Sequence, residues 1–200
     1  MAAERGLRTV TADRERYFHL SSMPMLLMHL TPLAVLWTGV DRWDLVLLAA
    51  TFSLRIFAIT GGYHRYFSHR AYKTSRAFQF VLAFLGGTAT QKGALWWAAN
   101  HRWHHRHSDD PQDVHSPLQR GFWYAHMGWI MCETHERTRV ELIRDLWRYP
   151  ELRFLDRFHL LPPAVLAAVT YAIGGWSGFV WGFCISTVVL WHQSNGRKDC

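Results

Sequence analysis

The stretch LVLLAATFSLRIFAITGGYHRYFSHR, residues 45–70, decides the fold of this chain. Within residues 45–63 the only charged side chain is Arg55, and a helix of this length nearly matches the thickness of a bilayer's hydrocarbon core. The apolar run then gives way to a basic segment that holds His64 and His69. The stretch therefore predicts a membrane-spanning helix with two candidate metal ligands at its end.

Three further apolar runs lie on either side of this stretch. Residues 21–40 hold no charged side chain, and residues 160–174 and 178–193 belong to a charge-free run that glycines interrupt in its middle. Together with residues 45–63, these runs predict an all-α membrane protein with about four transmembrane helices, arranged in two hairpins.

The region between the second and third predicted spans, residues 64–157, is predicted to be cytosolic and helical, within a single domain that covers residues 1–200. Its apolar run 77–90 is too short to cross a bilayer and predicts an interfacial or re-entrant helix. Lys and Arg concentrate in the N-terminal segment and directly after the second span, while the turns inside the two hairpins hold few. Because cytoplasmic loops are enriched in these residues, both termini and the histidines are predicted on the cytoplasmic side of a multi-pass protein.

The charge and the cysteines argue against other classes of protein. The net charge of +7 follows the predicted topology, which favours a lipid bilayer as the partner and argues against nucleic acid. The three cysteines, Cys132, Cys184 and Cys200, form no CxxC pair. Neither a disulfide framework nor a thiolate metal site is therefore indicated.

A second group of histidines lies in the segment NHRWHH, residues 100–105. On an α-helix, His104 and His105 fall about 60° and 40° to either side of His101, so the three imidazoles share one face. Three imidazoles repel one another when protonated and gain nothing by packing, so a bound metal explains them best. Isolated histidines elsewhere are interpreted as ordinary core or surface residues.

His64 and His69 are five residues apart and lie about 140° apart on an ideal helix. They converge on one metal only where the helix ends or distorts, which the glycines at 61 and 62 permit. An all-imidazole site suits zinc, iron, copper or nickel. A zinc hydrolase that uses Asp109, Asp110 or Asp113 as its acid or base and a redox iron site both stay open at this point.

Several motifs then occur in a recognisable order. They are Gly61–Arg70, Gln91–Trp97, His101–His105, Asp113–Ser116, Arg120–Phe122 and Ala125–Trp129. In this order and spacing they resemble the membrane-bound fatty acid desaturases, of the delta-9 acyl-CoA type. The resemblance implies an oxygen-dependent enzyme that removes two hydrogens from a fatty acyl chain with two iron ions.

The resemblance also implies roles for individual residues. His64, His69, His101, His104 and His105 match metal ligands, whereas His107, His115 and His126 do not. Gln91 and Trp97 match residues of the acyl tunnel, and Arg102 and Arg120 match positions near the phosphates of a thioester carrier. The implied partners are a fatty acyl thioester, on coenzyme A or an acyl carrier protein, and a separate electron donor, ferredoxin-like or a b-type cytochrome.

The end of the chain departs from the family's pattern. Family members continue beyond the fourth span to a third histidine box, whereas the residues after His192 look unlike the family. The expectation is a chain truncated before this box and inactive alone. Two alternatives are a related histidine-box hydroxylase and a non-catalytic membrane protein with a vestigial metal site.

Overall fold

The computed structural model describes residues 23–108, 110, 113, 121–132 and 135–196. In this part of the chain the regular structure is helical and contains no strand, which confirms the all-α prediction. The helices are α1 (Met23–Thr38, with a 3₁₀ turn at Thr31–Ala34), α2 (Arg42–Phe57), α3 (Arg76–Gly87), α4 (Ala94–Arg106), α5 (Arg144–Trp147), α6 (Pro150–Arg157), α7 (Leu161–Gly178) and α8 (Ser186–Gly196). Three segments are π-helical: Ala58–Ser68, Tyr124–Gly128 and Phe179–Ile185.

Among the residues that the structure describes, two helical segments are long and apolar enough to cross a bilayer. They are Arg42–Ser68 and Leu161–Ser194. The first contains the predicted span 45–63, and the second contains most of the predicted runs 160–174 and 178–193. Helices α1 and α3 are apolar but shorter.

The long C-terminal segment turns sharply at its glycines. Gly174 and Gly175 leave helical geometry, and Gly175 adopts a φ of 58°, which glycine reaches without a steric penalty. A Cβ placed on Gly178 would lie 2.5 Å from the carbonyl oxygen of Thr170. Residues eight apart in a straight helix are about 12 Å apart, so the chain folds back along α7 after this turn.

Helix α2 begins at a capping box that also ties it to this turn. The carboxylate of Asp41 accepts the backbone N–H groups of Trp43 and Asp44, and Asp44 accepts the N–H of Asp41. The Ser177 hydroxyl donates to Asp44 at 2.7 Å. The start of α2 is thereby fixed beside the end of α7.

Arg55, the one charge of the predicted second span, is fully buried. Its guanidinium donates to the carbonyl oxygens of Thr51 and Thr88 and to the hydroxyls of Ser186 and Thr187. These acceptors belong to α2, the end of α3 and α8. Arg55 therefore faces neighbouring helices, whose polar groups satisfy its charge inside an apolar segment.

The core lies between the π-helical segment 58–68 and helices α3, α4 and α6. Tyr63, Phe67, Leu82, Leu95 and Leu155 are buried in it. In contrast, many large apolar side chains are exposed on α1, α2 and α7, and these include Leu36, Trp37, Ile173 and Trp176. The histidine-bearing half of the molecule thus encloses its own core, while the apolar helices present their side chains outward.

Candidate metal centre and cavity

The π-helical segment 58–68 aligns the first two histidines. Its i→i+5 hydrogen bonds end with the His69 backbone N–H donating to the His64 carbonyl oxygen at 3.1 Å. Residues five apart therefore lie on one side of this segment, which an α-helix would not permit. The predicted distortion is confirmed, and it brings the two ring Nε2 atoms to 3.1 Å from each other.

Helix α4 supplies the other histidines and is anchored at its first turn. The Asp156 carboxylate, from α6, accepts the Trp96 backbone N–H at 2.9 Å and the Thr138 hydroxyl at 2.8 Å. A Cβ on Gly93 would lie 2.3 Å from this carboxylate, so glycine permits the approach. Burial raises the pKa of Asp156 against these hydrogen bonds. Asp156 thus acts as an N-cap supplied by a distant helix.

Four imidazoles converge between these two elements. The ring nitrogens of His64, His69, His101 and His105 all lie within 4.8 Å of one another. We call this group the four-histidine cluster. The Nε2 of His101 lies 3.2 Å from that of His69 and 2.9 Å from that of His105. Neighbouring ligands of one ion with bonds of about 2.1 Å are about 3 Å apart, so the donor set fits a metal ion of the iron or zinc class.

The electrostatics of the four-histidine cluster favour neutral imidazoles. Burial, followed by the charges of the neighbouring histidines, lowers the pKa of His101 to about 2. Burial, and then the charges of His69 and His104, also lower the pKa of His105. A metal ligand must present an unprotonated nitrogen, so these two side chains meet that requirement at neutral pH.

His104 lies beside the four-histidine cluster with a contact of its own. Its Nδ1 is 2.9 Å from Oδ1 of the buried Asp113, and its ring centroid is 6.3 Å from that of His101. A carboxylate bonded to one ring nitrogen orients the imidazole and directs the other nitrogen toward a metal. Asp113, one of the three carboxylates that the sequence offered to a zinc hydrolase as acid or base, therefore contacts a histidine here.

An apolar cavity of about 950 Å³ reaches the four-histidine cluster. His64 and His101 line it, together with Gln91, Trp97 and many apolar side chains, among them Met28, Ile59, Phe183 and Trp191. Trp97 stacks on the His101 ring at 4.6 Å between centroids. The predicted tunnel residue thus contacts both the cavity and a predicted metal ligand.

Gln91 is held in the cavity wall by both ends of its amide. Its Oε1 accepts the Trp97 indole N–H at 3.3 Å, and its Nε2 donates to the Ser194 hydroxyl at 2.5 Å. The flanking residues Thr90 and Lys92 have φ values of 60° and 62°, which are unusual for side chains of this kind. The backbone of this loop is strained on both sides of Gln91.

Of the two arginines predicted to bind the carrier, the structure describes Arg102 alone. Arg102 points away from the cavity and bonds to Phe67, Ser68, Leu142 and Asp145. Arg120 lies outside the described residues, as does His115.

Asp145 and Asp156 could not be recognised from the sequence, because single acidic residues far from a motif carry no visible signal. The same holds for a second association of histidines, here called the three-histidine group: His29, His126 and His192. The Nε2 of His126 lies 3.0 Å from the Nδ1 of His192, and the rings of His29 and His192 are 5.1 Å apart. Their wide separation in the sequence hid this arrangement.

Comparison with known proteins places the chain in a family. The model of the fatty acid desaturase domain matches residues 41–195. The chain belongs to the fatty acid desaturase family. This confirms the family that the motifs indicated.

Several curated desaturases are similar to this chain. A chloroplastic palmitoyl-monogalactosyldiacylglycerol delta-7 desaturase of Arabidopsis thaliana is 36% identical over 68% of this chain and 38% of its own length. An acyl-CoA 5-desaturase of Anemone leveillei is 34% identical over 70% of this chain and 44% of its own length. A sn-2 palmitoyl-lipid 9-desaturase of Nostoc sp. (strain 36) is 34% identical over 66% of this chain and 48% of its own length.

The chain thus spans less than half the length of these relatives. Their names differ in double-bond position and in acyl carrier, which is coenzyme A in one case and a lipid in the others. The delta-9 type and the carrier therefore stay predictions for this chain.

Proposed function

We propose that this desaturase chain forms the histidine-box region of an oxygen-dependent enzyme that inserts a double bond into a fatty acyl chain at a di-iron centre. The observation that carries the proposal is the four-histidine cluster at the wall of a large apolar cavity. Imidazole donors suit iron, and an apolar cavity suits an alkyl chain. The two features adjoin, so a bound chain would lie beside the metal.

The histidines divide between the two proposed irons. His64, His69, His101 and His105 would hold one ion, and His104, oriented by Asp113, would contribute to the second. Bound iron supplies the activation of dioxygen that an unactivated C–H bond requires. The chain's own contribution is to present unprotonated imidazoles, because the pKa values of His101 and His105 are lowered.

The cavity wall would select which carbon of the substrate lies at the metal. An alkyl chain offers no polar group for recognition, so the shape of the wall must fix its position. Trp97 lies against His101, and its indole is held by the Gln91 amide. We assign these two side chains to the acyl tunnel of a delta-9 type enzyme.

The proposed substrate is a fatty acyl thioester, on coenzyme A or an acyl carrier protein. Two electrons are needed for each double bond when dioxygen is the oxidant, and we propose that a separate ferredoxin-like protein or b-type cytochrome supplies them. Arg120 is the proposed contact to a phosphate of the carrier, because guanidinium binds phosphate through paired donors.

We propose an integral membrane location with four spans and with both termini and the histidines on the cytoplasmic side. Support comes from two long apolar segments and from the exposed side chains of α1, α2 and α7. The departure of Gly174 and Gly175 from helical geometry supports a division of the second segment into two of the proposed spans. Helix α3, with Phe78 and Phe80 exposed, is the proposed interfacial helix.

We also propose that the 200 residues alone bind metal but do not desaturate a fatty acyl chain. Two irons with about five or six ligands each need more donors than the five box histidines provide. The test expresses the chain, and a version extended by a third histidine box, in a host that requires unsaturated fatty acids. We expect growth and a monounsaturated product only from the extended version.

Gas chromatography of the host's fatty acids and the iron content of the purified protein are the measurements, with the extended His101→Ala variant as control. Growth supported by the 200 residues alone would contradict the proposed inactivity. A hydroxylated product would show that the enzyme is a hydroxylase and would contradict the proposed desaturation. If the purified extended protein contained no iron, the proposed di-iron centre would be wrong.

A further inference from the structure

The Arg102 side chain, one residue after a proposed ligand, uses all five of its N–H donors inside the protein. Its Nε donates to the Ser68 carbonyl at 3.1 Å, and one Nη donates to the Phe67 carbonyl at 2.7 Å and to Asp145 at 3.1 Å. The other Nη donates to the Leu142 carbonyl at 2.8 Å and to Asp145 at 2.9 Å. A guanidinium has five such donors, so this set is complete.

Two of these acceptors lie on the other element that bears histidines of the four-histidine cluster. The Phe67 and Ser68 carbonyls end the π-helical segment and directly precede His69, whereas Arg102 itself belongs to α4. The last carbonyl groups of a helix lack partners within it and need them from elsewhere. Arg102 supplies these partners and joins the end of one histidine-bearing element to the middle of the other.

Asp145 completes the arrangement as the counter-ion. It belongs to α5, accepts both branches of the Arg102 guanidinium and also accepts a hydrogen bond from Arg70, the residue after His69. The Arg102 side chain is 20% exposed and that of Asp145 is 39% exposed, so water partly screens the ion pair, while the hydrogen bonds fix its geometry.

We propose that Arg102 is a positioning residue that holds His69 against His101 and His105. The inference rests on the proposed function, because it assumes that these histidines bind metal. It assigns to Arg102 a role different from the contact to the carrier's phosphates that the resemblance implies. A phosphate would have to displace carbonyl or carboxylate acceptors that are already bonded, and the displaced groups would lose their partners.

Only arginine fits this role. Its planar fork reaches acceptors on three segments at once, whereas lysine carries its three donors on one nitrogen. Arg102→Lys retains the positive charge for Asp145 and loses most of the bonds to Phe67, Ser68 and Leu142. The conservative variant therefore separates the geometry of the side chain from its charge.

The experiment titrates Co²⁺ into the metal-free, full 200-residue chain in detergent micelles and follows the visible absorption of the bound ion. The variants are Arg102→Lys and Arg102→Gln, and the matched control is Arg106→Gln, an exposed arginine of the same helix. We expect both Arg102 variants to bind Co²⁺ about 10- to 100-fold more weakly, as is usual when a residue that orients ligands is lost. Their absorption bands should shift, while Arg106→Gln matches the unmodified protein.

Two results overturn the proposal. One is a folded Arg102→Lys variant with unchanged Co²⁺ affinity and spectrum. The other is unchanged Co²⁺ binding by Arg102→Gln together with weaker binding of coenzyme A, which would return Arg102 to the carrier site. Circular dichroism at the temperature of the titration shows that each variant is folded.

A variant that does not fold is replaced by Asp145→Asn, which keeps Arg102 and its bonds to the three carbonyls. We expect the same direction of change with a smaller loss of affinity, and no change would overturn the proposal. Failure of the proposed function looks different. In that case the unmodified protein does not bind Co²⁺, or His101→Ala binds it as well as the unmodified protein does.

Discussion

The two associations of histidines differ although both contain imidazoles close to a tryptophan. In the four-histidine cluster the ring nitrogens converge, and Trp97 stacks on one ring. In the three-histidine group the rings meet as a hydrogen-bonded pair, His126 and His192, with His29 in edge contact. Trp191 meets all three of these rings edge-on, at 5.6 Å for both His29 and His126 and at 5.4 Å for His192.

The difference comes from what the backbone provides. The four-histidine cluster takes two rings from each of two helical segments, and in each segment the helical repeat already places both rings on one side. The three-histidine group takes one ring from each of three separate elements. His29 also donates its Nδ1 hydrogen to the Met25 carbonyl at 2.8 Å, which fixes its ring along α1. Proximity of imidazoles is therefore insufficient for a metal site, and common orientation is what distinguishes the first group.

The largest effect should come from removing one ligand of the four-histidine cluster. His101→Ala is expected to weaken Co²⁺ binding by more than about 100-fold, beyond what loss of an orienting contact costs, because the ion loses a direct bond. The measurement is the Co²⁺ titration described above. His126→Ala and His192→Ala serve as controls and should bind within about two-fold of the unmodified protein. If the variants of both groups lost Co²⁺ affinity to the same extent, the two groups would not differ in metal binding.

A second test uses the tryptophan that contacts the four-histidine cluster. In the chain extended by a third histidine box, Trp97→Ala should change chain-length preference or double-bond position, at about 1 to 3 kcal/mol per misplaced methylene. The iron content should stay near that of the unmodified protein, since indole is no ligand. Trp37→Ala, at an exposed position on α1, is the control. If Trp97→Ala lost iron and kept the same product pattern, Trp97 would position the metal ligands and would not shape the acyl tunnel.

The metal-free four-histidine cluster should make the protein sensitive to acid. The pKa of His101 is lowered to about 2, so the unfolded chain binds a proton at higher pH than the folded one does. Stability is then fully present above about pH 6.5 and decreases as the pH falls below it. Between pH 7 and pH 5, the protonation of this histidine in the unfolded chain should lower the free energy of unfolding by about 2 kcal/mol. Thermal unfolding with a chelator present, compared with His101→Gln, measures this, and identical pH dependence of the two proteins would contradict it.

The smallest effect is expected in the three-histidine group. His192→Phe keeps an aromatic ring but removes the hydrogen bond to the buried His126, at a cost of about 1 kcal/mol in the free energy of unfolding. A double-mutant cycle with His126→Phe should give a coupling energy of similar size. If either variant instead abolished Co²⁺ binding, the two groups would form one connected site.

Much of the candidate site could be predicted from spacing. The pattern of residues 100–105 placed His101 and His105 on one face, and the five-residue interval from His64 to His69 required a distorted helix, which the π-helical segment provides. The separate position of His104 could not be predicted, because it depends on Asp113. Spacing within a helix fixes angles, whereas the distance to another element is fixed by residues that the motif does not contain.

The helical class, the long apolar segments, the family and the residues with metal-binding chemistry follow from the amino-acid sequence, since these depend on local periodicity and side-chain type. Which imidazoles share one point in space depends on tertiary contacts. That choice depends on Asp156 at the start of α4 and on Arg102 and Asp145 between α4 and the π-helical segment. These contacts join residues tens of positions apart, so no local pattern announces them, yet they set the separations on which a metal bond depends.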